Sequence, residues 1–261
     1  MSIKIASWNV NSIKARKDHV IKYLQDTNLD ILMVQELKGL DFPELDFHAI
    51  GYETAAVTQK AYNGVAVFSK KPINVILNRL PGDETDEQSR YIEFETDGPD
   101  GKPLRLINIY LPNGNPVGTE KFTYKISWMK RLRQRLKELK DNNIPFTIGG
   151  DFNIIPEDID CHNPKAWAND ALKQPESIAE FRALLNLGLT EAYRIFDKSP
   201  ERYSFWDYQR GAWQKNDGIR IDHFLLSPEI ADRIQSCTID KTPRGWERPS
   251  DHTPIIIEIA A

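Results

Sequence analysis

The sequence predicts an α/β fold in which packed β-sheets are flanked by helices. Three observations support this. Short β-rich runs recur along the whole chain, helical periodicity is interspersed among them, and no Pro/Ser/Gly-rich linker or fixed short repeat breaks the sequence. A chain of 261 residues can bury a substantial core, so residues 1–261 are expected to form a single domain.

Each element has its own signal. Ser2 to Asn11 alternates, with Ile5, Ser7, Asn9 and Asn11 on one face and Ala6, Trp8 and Val10 on the other. Lys14 to Thr27 has helical spacing at Val20, Ile21 and Leu24. Asp30 to Val34 is a continuous apolar run, as in a strand buried on both faces, and ends at Gln35-Glu36. Further strands are expected at 64–69, 73–77, 91–95 and 104–111, the last two joined by the turn-forming Asp97-Gly98-Pro99-Asp100-Gly101. Lys121 to Lys140 reads as a basic amphipathic helix with Ile126, Met129, Leu132, Leu136 and Leu139 on its apolar face. Lys130, Arg131, Arg133, Arg135 and Lys137 are expected on its solvated face. Ile144 to Ile148 is β-rich and runs into Gly149-Gly150-Asp151-Phe152-Asn153; an irregular stretch, 156–175, follows. A helix over 177–187 is closed by Gly188, and the final strands are expected at 221–226, 234–239 and 254–259.

Bulk properties restrict function only loosely. The formal net charge of −4 announces no global basic field, although a local basic patch or a bound cation can reverse the sign at one site. Cys161 and Cys237 form neither a disulfide framework nor a zinc motif, so a reducing compartment is expected. The first residues read straight into a strand without a signal-peptide apolar region. No apolar run approaches the roughly 18 residues of a membrane span. A cytoplasmic protein without membrane contact is the expectation.

Polar residues gather at the strand ends. The clusters are Trp8-Asn9-Val10-Asn11, Gln35-Glu36-Leu37-Lys38, Gly150-Asp151-Phe152-Asn153, Arg220-Ile221-Asp222 and Ser250-Asp251-His252. On an extended segment Asp151 and Asn153 share one side, where a carboxylate and a carboxamide can orient a water or grip a metal-bound phosphate. An Asx turn is the plainer reading of that fragment alone. Carboxylates and carboxamides without thiolates are hard ligands, suiting Mg²⁺ or Mn²⁺. A lone histidine suits acid–base or phosphate-polarising work better than a zinc shell. Recurrence of such ends in both halves points to two similar halves meeting along one cleft.

With these motifs in order, the chain resembles the exonuclease III family of apurinic/apyrimidinic endonucleases, within the endonuclease/exonuclease/phosphatase superfamily. The resemblance runs from Ile3–Asn11 to Ser250-Asp251-His252-Thr253-Pro254. Its family-specific segments are Asp30–Lys38, Asn63–Ser69 and Asn216–Ser227, and Pro243–Pro249 resembles the bacterial branch. It implies a four-layered α/β (α+β) sandwich of two packed mixed sheets flanked by helices, DNase I-like. It also implies hydrolysis of the phosphodiester 5′ to abasic sites in duplex DNA by metal-assisted attack of water. Activity on 3′ ends, as 3′–5′ exonuclease and 3′-phosphodiesterase or phosphatase, is implied alongside.

The resemblance assigns roles residue by residue. Glu36 is the principal metal carboxylate, with Asn11 beside it and Asp251 as a further ligand or outer partner; Asp151 and Asn153 adjoin the metal. Family members carry Asp or Asn at the position of Asn11, and Asn removes one negative charge from the shell. Asp151 aligns and deprotonates the water, Asn153 orients it, and Asn9 holds the acidic centre. His252 faces the scissile phosphate, Asp222 fixes its tautomer, and Tyr110 contacts the phosphate. Phe205, Ile219 and Ile221 resemble the wall of a pocket for an extrahelical abasic deoxyribose, with Trp206 in the same run; some relatives place tryptophan at the position of Ile219. Asn113, Lys60, Arg90 and Lys121 are expected to grip DNA. A monomer acting on abasic sites or 3′ ends of double-stranded DNA is thus the leading expectation. A superfamily phosphoesterase acting on another substrate, such as a phosphoinositide or sphingomyelin, and an inactive DNA-binding relative are the alternatives.

Overall fold

The alternating N-terminal run forms strand β1 (Ser2–Asn9), and the chain then turns into helix α1 (Ile13–Thr27) and the buried strand β2 (Ile31–Gln35). The computed structural model describes residues 2–261. After a short helix α2 (Glu44–His48) come β3 (Glu53–Val57), β4 (Val65–Ser69) and β5 (Asn74–Leu77). Next are the hairpin β6 (Tyr91–Asp97) and β7 (Pro103–Tyr110), helix α3 (Glu120–Asp141) and β8 (Phe146–Asp151). Helix α4 (Pro175–Leu185), β9 (Thr190–Glu191), β10 (Asp222–Leu226), β11 (Ile234–Ile239) and β12 (Ile255–Ala260) complete the frame.

The strands build two six-stranded mixed sheets, ordered β11-β12-β1-β2-β4-β3 and β5-β6-β7-β8-β10-β9. Each contains one parallel pair, β1 with β2 and β7 with β8, flanked by antiparallel neighbours. Ile3, Ile5, Met33 and Val67 of the first sheet meet Ile92, Phe94, Leu106 and Phe224 of the second in a shared core. The outer face of the first sheet is covered by α1 and α2 through Val20, Tyr23, Leu24 and Phe47. The second is covered by α3 and α4 through Trp128, Met129, Leu132, Phe181 and Leu184. Helix, sheet, sheet and helix are the four expected layers.

A polar bolt crosses the shared core. Gln35 Nε2 donates to Asn108 Oδ1 at 2.7 Å and to Ser7 Oγ at 3.0 Å, and Asn108 Nδ2 donates to the carbonyls of Val34 and Ala66. Gln35, grouped in the sequence with the polar strand ends, is thus fully buried and part of the frame. Gly149 permits equally close packing: a Cβ there would lie 2.4 Å from the Phe224 ring and 2.7 Å from Met33 Cε.

Two expectations need correction. β1 ends at Asn9, because Asn11 (φ 46°) and Ser12 (φ 92°) turn the chain so that Ser12 can cap α1. The basic face of α3 is partly tied down: Arg135 pairs with the buried Glu93, and Arg131 with Asp86. The short strands β3 and β9 were not foreseen. Among the described residues no helix is long and apolar enough to cross a membrane.

Candidate active site

Register brings the acidic residues together. Asn9 lies opposite Gln35 across the parallel pair of the first sheet, which puts Glu36 one residue beyond. In the second sheet Tyr110, Asp151 and Asp222 lie side by side on β7, β8 and β10. Parallel strands end together, so both rows open at the same rim.

Asn9 joins the rows. Its Nδ2 donates to Glu36 Oε1 and to Asp151 Oδ2, each at 3.0 Å, while Tyr110 Oη donates to Glu36 Oε1 at 2.7 Å. On the other flank His252 Nδ1 lies 2.8 Å from Asp222 Oδ2, and His252 Nε2 lies 3.7 Å from Asp151 Oδ2. Asp222 Oδ2 also accepts from Ser204 Oγ at 2.6 Å, leaving its buried Oδ1 without a partner. Ser204 was missed in the sequence because it sits in an aromatic run that reads as core.

Charges are strongly conditioned here. Burial, together with the neighbouring charges of Asp222 and Glu36, pushes the Asp151 carboxyl up to about 7, against the pull of His252 and Asn9. Burial works against a charged His252, but the Asp222 and Asp151 carboxylates hold its proton and raise it to about 10. Burial also opposes ionisation of Glu36, yet Lys38 and the hydrogen bonds from Asn9, Lys38 and Tyr110 keep it below the usual carboxylate range. Tyr110 is pushed well above its ordinary value by burial and by the charges of Glu36 and Asp151, so it remains a neutral donor. Above neutral pH the site offers an acceptor in Asp151 and donors in His252 and Tyr110.

The hard-oxygen set also converges. Lys38 Nζ lies 2.5 Å from both Glu36 Oε2 and Asn11 Oδ1, and Asn11 Nδ2 donates to Asp251 Oδ1 at 3.0 Å. Two oxygens already grip one cation at this point, which fits a site for a hard divalent ion. Ligand atoms of Asp151, Asp222 and His252 also lie within 4.8 Å of one another.

Asn153 stands differently from the expectation. Its φ of 48° takes it off the strand, and its backbone N–H donates to Asp151 Oδ1 at 2.9 Å. The Asx turn is therefore present, and it serves the site. Asn153 Nδ2 donates to the Leu111 carbonyl and its Oδ1 accepts from Asn113 Nδ2, both at 3.0 Å. Gly150 permits this close approach: a Cβ there would lie 2.0 Å from the Ile109 carbonyl oxygen.

The expected DNA contacts divide. Phe205 is half-buried with its ring 5.0 Å from that of His252, and with Ile219, Trp167, His162 and Arg210 it lines a cavity of about 470 Å³. Ile219 and Ile221 are buried against Ile155, Cys161 and Leu172, as a wall behind Phe205. Trp206 is corrected: it is 0% exposed, packs on Tyr203 and Trp213, and donates to Asn216, so it cannot touch a ligand. Arg90 stacks 4.7 Å from the Tyr110 ring and lines a groove of about 480 Å³ with Glu36, Lys38 and Tyr62. Lys60 and Lys121 are exposed and lie outside the hydrogen-bonded cluster. Lys125, buried on α3 with its pKa pushed by that burial down to about 7, was not anticipated. The signal was a lysine on the apolar stripe, one turn before Trp128 and Met129.

Known proteins resemble this chain in sequence and fold. The model of the Endonuclease/Exonuclease/phosphatase family matches residues 6–252. An exodeoxyribonuclease of Bacillus subtilis (strain 168) is 33% identical, over 97% of this chain and 98% of its own. Among solved structures, the 3′ phosphatase NExo from Neisseria, bound to a product DNA hairpin, superposes with a TM-score of 0.94 at 34% identity, over 99% of this chain and 100% of that one. An AP endonuclease from Archaeoglobus fulgidus gives a TM-score of 0.91, also at 34% identity and over the same shares.

Proposed function

The chain belongs to the Endonuclease/Exonuclease/phosphatase family, and we propose that it is a DNA repair nuclease of the exonuclease III type. On this reading it hydrolyses the phosphodiester 5′ to an abasic site in duplex DNA and processes damaged 3′ ends. The observation that carries it is the Asn9 carboxamide bridging Glu36 and Asp151, with the His252–Asp222 pair on the opposite side. The core shared by both sheets supports one catalytic domain over residues 1–261, and we read it as a cytoplasmic monomer.

Each residue has a task on this reading. Asp151, ionised near neutrality, takes the proton of the attacking water while Asn153 orients it. His252 donates from Nε2 to a phosphate oxygen as charge grows, and Asp222 fixes its tautomer through Nδ1. Tyr110 adds a second neutral donor. Glu36, Asn11 and Asp251 would hold Mg²⁺ or Mn²⁺, which neutralises phosphate charge when bound. Phe205 and Ile219 line a cavity that would admit a sugar without a base, which costs least to extrude, and Ile221 backs that wall from the core.

Action at 3′ ends, without incision at abasic sites, is a second reading, favoured by the likeness to the Neisseria 3′ phosphatase. End-labelled duplexes carrying an abasic site, a 3′-phosphate or an undamaged recessed end, assayed with Mg²⁺ and with Mn²⁺, decide between them. Incision at the abasic site supports the first reading; release of phosphate or nucleotides alone supports the second. No turnover on any of the three overturns both.

A further inference from the structure

We infer that Lys125 is a positioning residue for the reaction, an internal clamp whose ammonium fixes the two loops carrying Asn113 and Asn153. The inference rests on the reading of Asn153 as the residue that orients the attacking water. Lys125 is fully buried on the inner stripe of α3. Its Nζ donates to the Asn153 carbonyl at 2.6 Å and to the Asn113 carbonyl at 3.1 Å. These carbonyls belong to the loops leaving β8 and β7, the adjacent strands whose ends pair Tyr110 with Asp151.

The same two residues are joined again at the cleft. Asn113 Nδ2 donates to Asn153 Oδ1, and Asn153 Nδ2 donates to the Leu111 carbonyl, each at 3.0 Å. The asparagine pair is therefore held twice, by side chains at the rim and by the Lys125 ammonium beneath. Gly114 is shaped for this arrangement: its φ is +89°, and a Cβ would lie 2.6 Å from Lys125 Cδ. The loop gives up a side chain where the lysine stem crosses it. Burying an ammonium is costly, and a methionine would fill the same space without that cost. What the methionine lacks is the donors that reach both loops.

The test uses the full-length protein and an abasic duplex with Mg²⁺, and compares Lys125→Met, Asn153→Ala and the double variant. Lys125→Met is expected to lose about 10²-fold in kcat with KM changed by less than about threefold. The double variant is expected to be no slower than Asn153→Ala alone, because the clamp acts through that residue. Lys125→Gln, which keeps a donor on a shorter stem, should recover part of the loss. A Lys125→Met kcat within about twofold of the parent, or losses that multiply in the double variant, overturns the inference. Should Lys125→Met fail to fold by circular dichroism, Gly114→Ala presses on the same stem, and its cycle with Asn153→Ala is read by the same criterion. Full activity of Asn153→Ala alone overturns the functional reading itself. A slow Asn153→Ala beside multiplying losses overturns only the role of Lys125.

Discussion

Asp222 Oδ2 lies 2.8 Å from His252 Nδ1, and both side chains are buried at the cleft rim. The carboxylate fixes which ring nitrogen faces the site and stabilises the imidazolium. Asp222→Asn keeps the shape but removes the charge and can present an N–H to the ring. We expect a loss of about 10³–10⁴-fold in kcat, with DNA affinity retained. Single-turnover cleavage and a gel-shift measurement on the same abasic duplex check this; a loss under about tenfold would remove Asp222 from the mechanism.

The pH profile follows from the same pair. Asp151 must be ionised to accept a proton, and burial among carboxylates raises it to about 7. His252 must keep its proton to donate, and Asp222 and Asp151 raise it to about 10 despite burial. Activity is therefore expected to climb as pH rises through about 7 and to fall as it passes about 10, with both limbs belonging to the coupled pair. A cation at Glu36 moves the acid limb lower by favouring the ionised carboxylate. Asp222→Asn should bring the alkaline limb down, since the charge that holds the imidazolium is gone. An unmoved alkaline limb would falsify this assignment.

Metal dependence gives a third test. Lys38 Nζ occupies the point where Glu36 Oε2 and Asn11 Oδ1 converge, so a divalent ion bound there would displace an ammonium from a site in which Asn11 brings no negative charge. Asn11→Asp adds that charge, although it also turns the contact with Asp251 into a repulsion. We expect half-maximal activity at roughly tenfold lower Mg²⁺, and direct Mn²⁺ binding by electron paramagnetic resonance to tighten in parallel. Chelation with EDTA should abolish turnover, and added Mg²⁺ or Mn²⁺ should restore it. An unshifted Mg²⁺ requirement together with unshifted Mn²⁺ binding would remove Asn11 from the metal site.

The sequence carried the frame and the charged centre, and failed where meaning depends on what lies across the cleft. Strong periodicity located β1, β2 and α3 to within two residues, because alternation and the apolar stripe report directly on which face is buried. β3 went unseen because it lies at the edge of its sheet, next to β4 alone, and none of its residues is fully buried. Asp151 and His252, which the structure brings within 3.7 Å of each other, stood out in the sequence because a carboxylate and an imidazole at strand ends have few structural uses. Gln35 could only be grouped with the polar strand ends, since only the opposite sheet supplies Asn108 as its partner. Trp206 was misplaced because an aromatic run does not say which ring faces inward. Lys125 was invisible for a related reason: lysine on an apolar stripe is ordinarily read as a side chain reaching out to water.

The segment before Asp222 is anchored by a buried ion network, and its removal should be felt as stability. Arg220 is 1% exposed, with Nε 2.8 Å from Asp160 Oδ1 and one terminal nitrogen 2.7 Å from Glu191 Oε1. Burial alone would raise Glu191, but the Arg220 charge, with help from His223 and Arg194, brings it down to about 2. Arg220→Met leaves both carboxylates buried without their cation, at an expected cost of about 3–5 kcal/mol. The sign in acid follows. A carboxyl depressed in the folded state adds stability that is fully present above its unfolded value of about 4.3 and is lost as pH falls toward about 2. In the parent protein, Tm should therefore decline steeply below about pH 4. In Arg220→Met the two carboxyls take up protons at higher pH, so part of the lost stability returns between neutrality and about pH 5. Calorimetry of both proteins from pH 7 down to about 2 checks this. Parallel Tm curves would show that Arg220 stabilises the fold by packing alone.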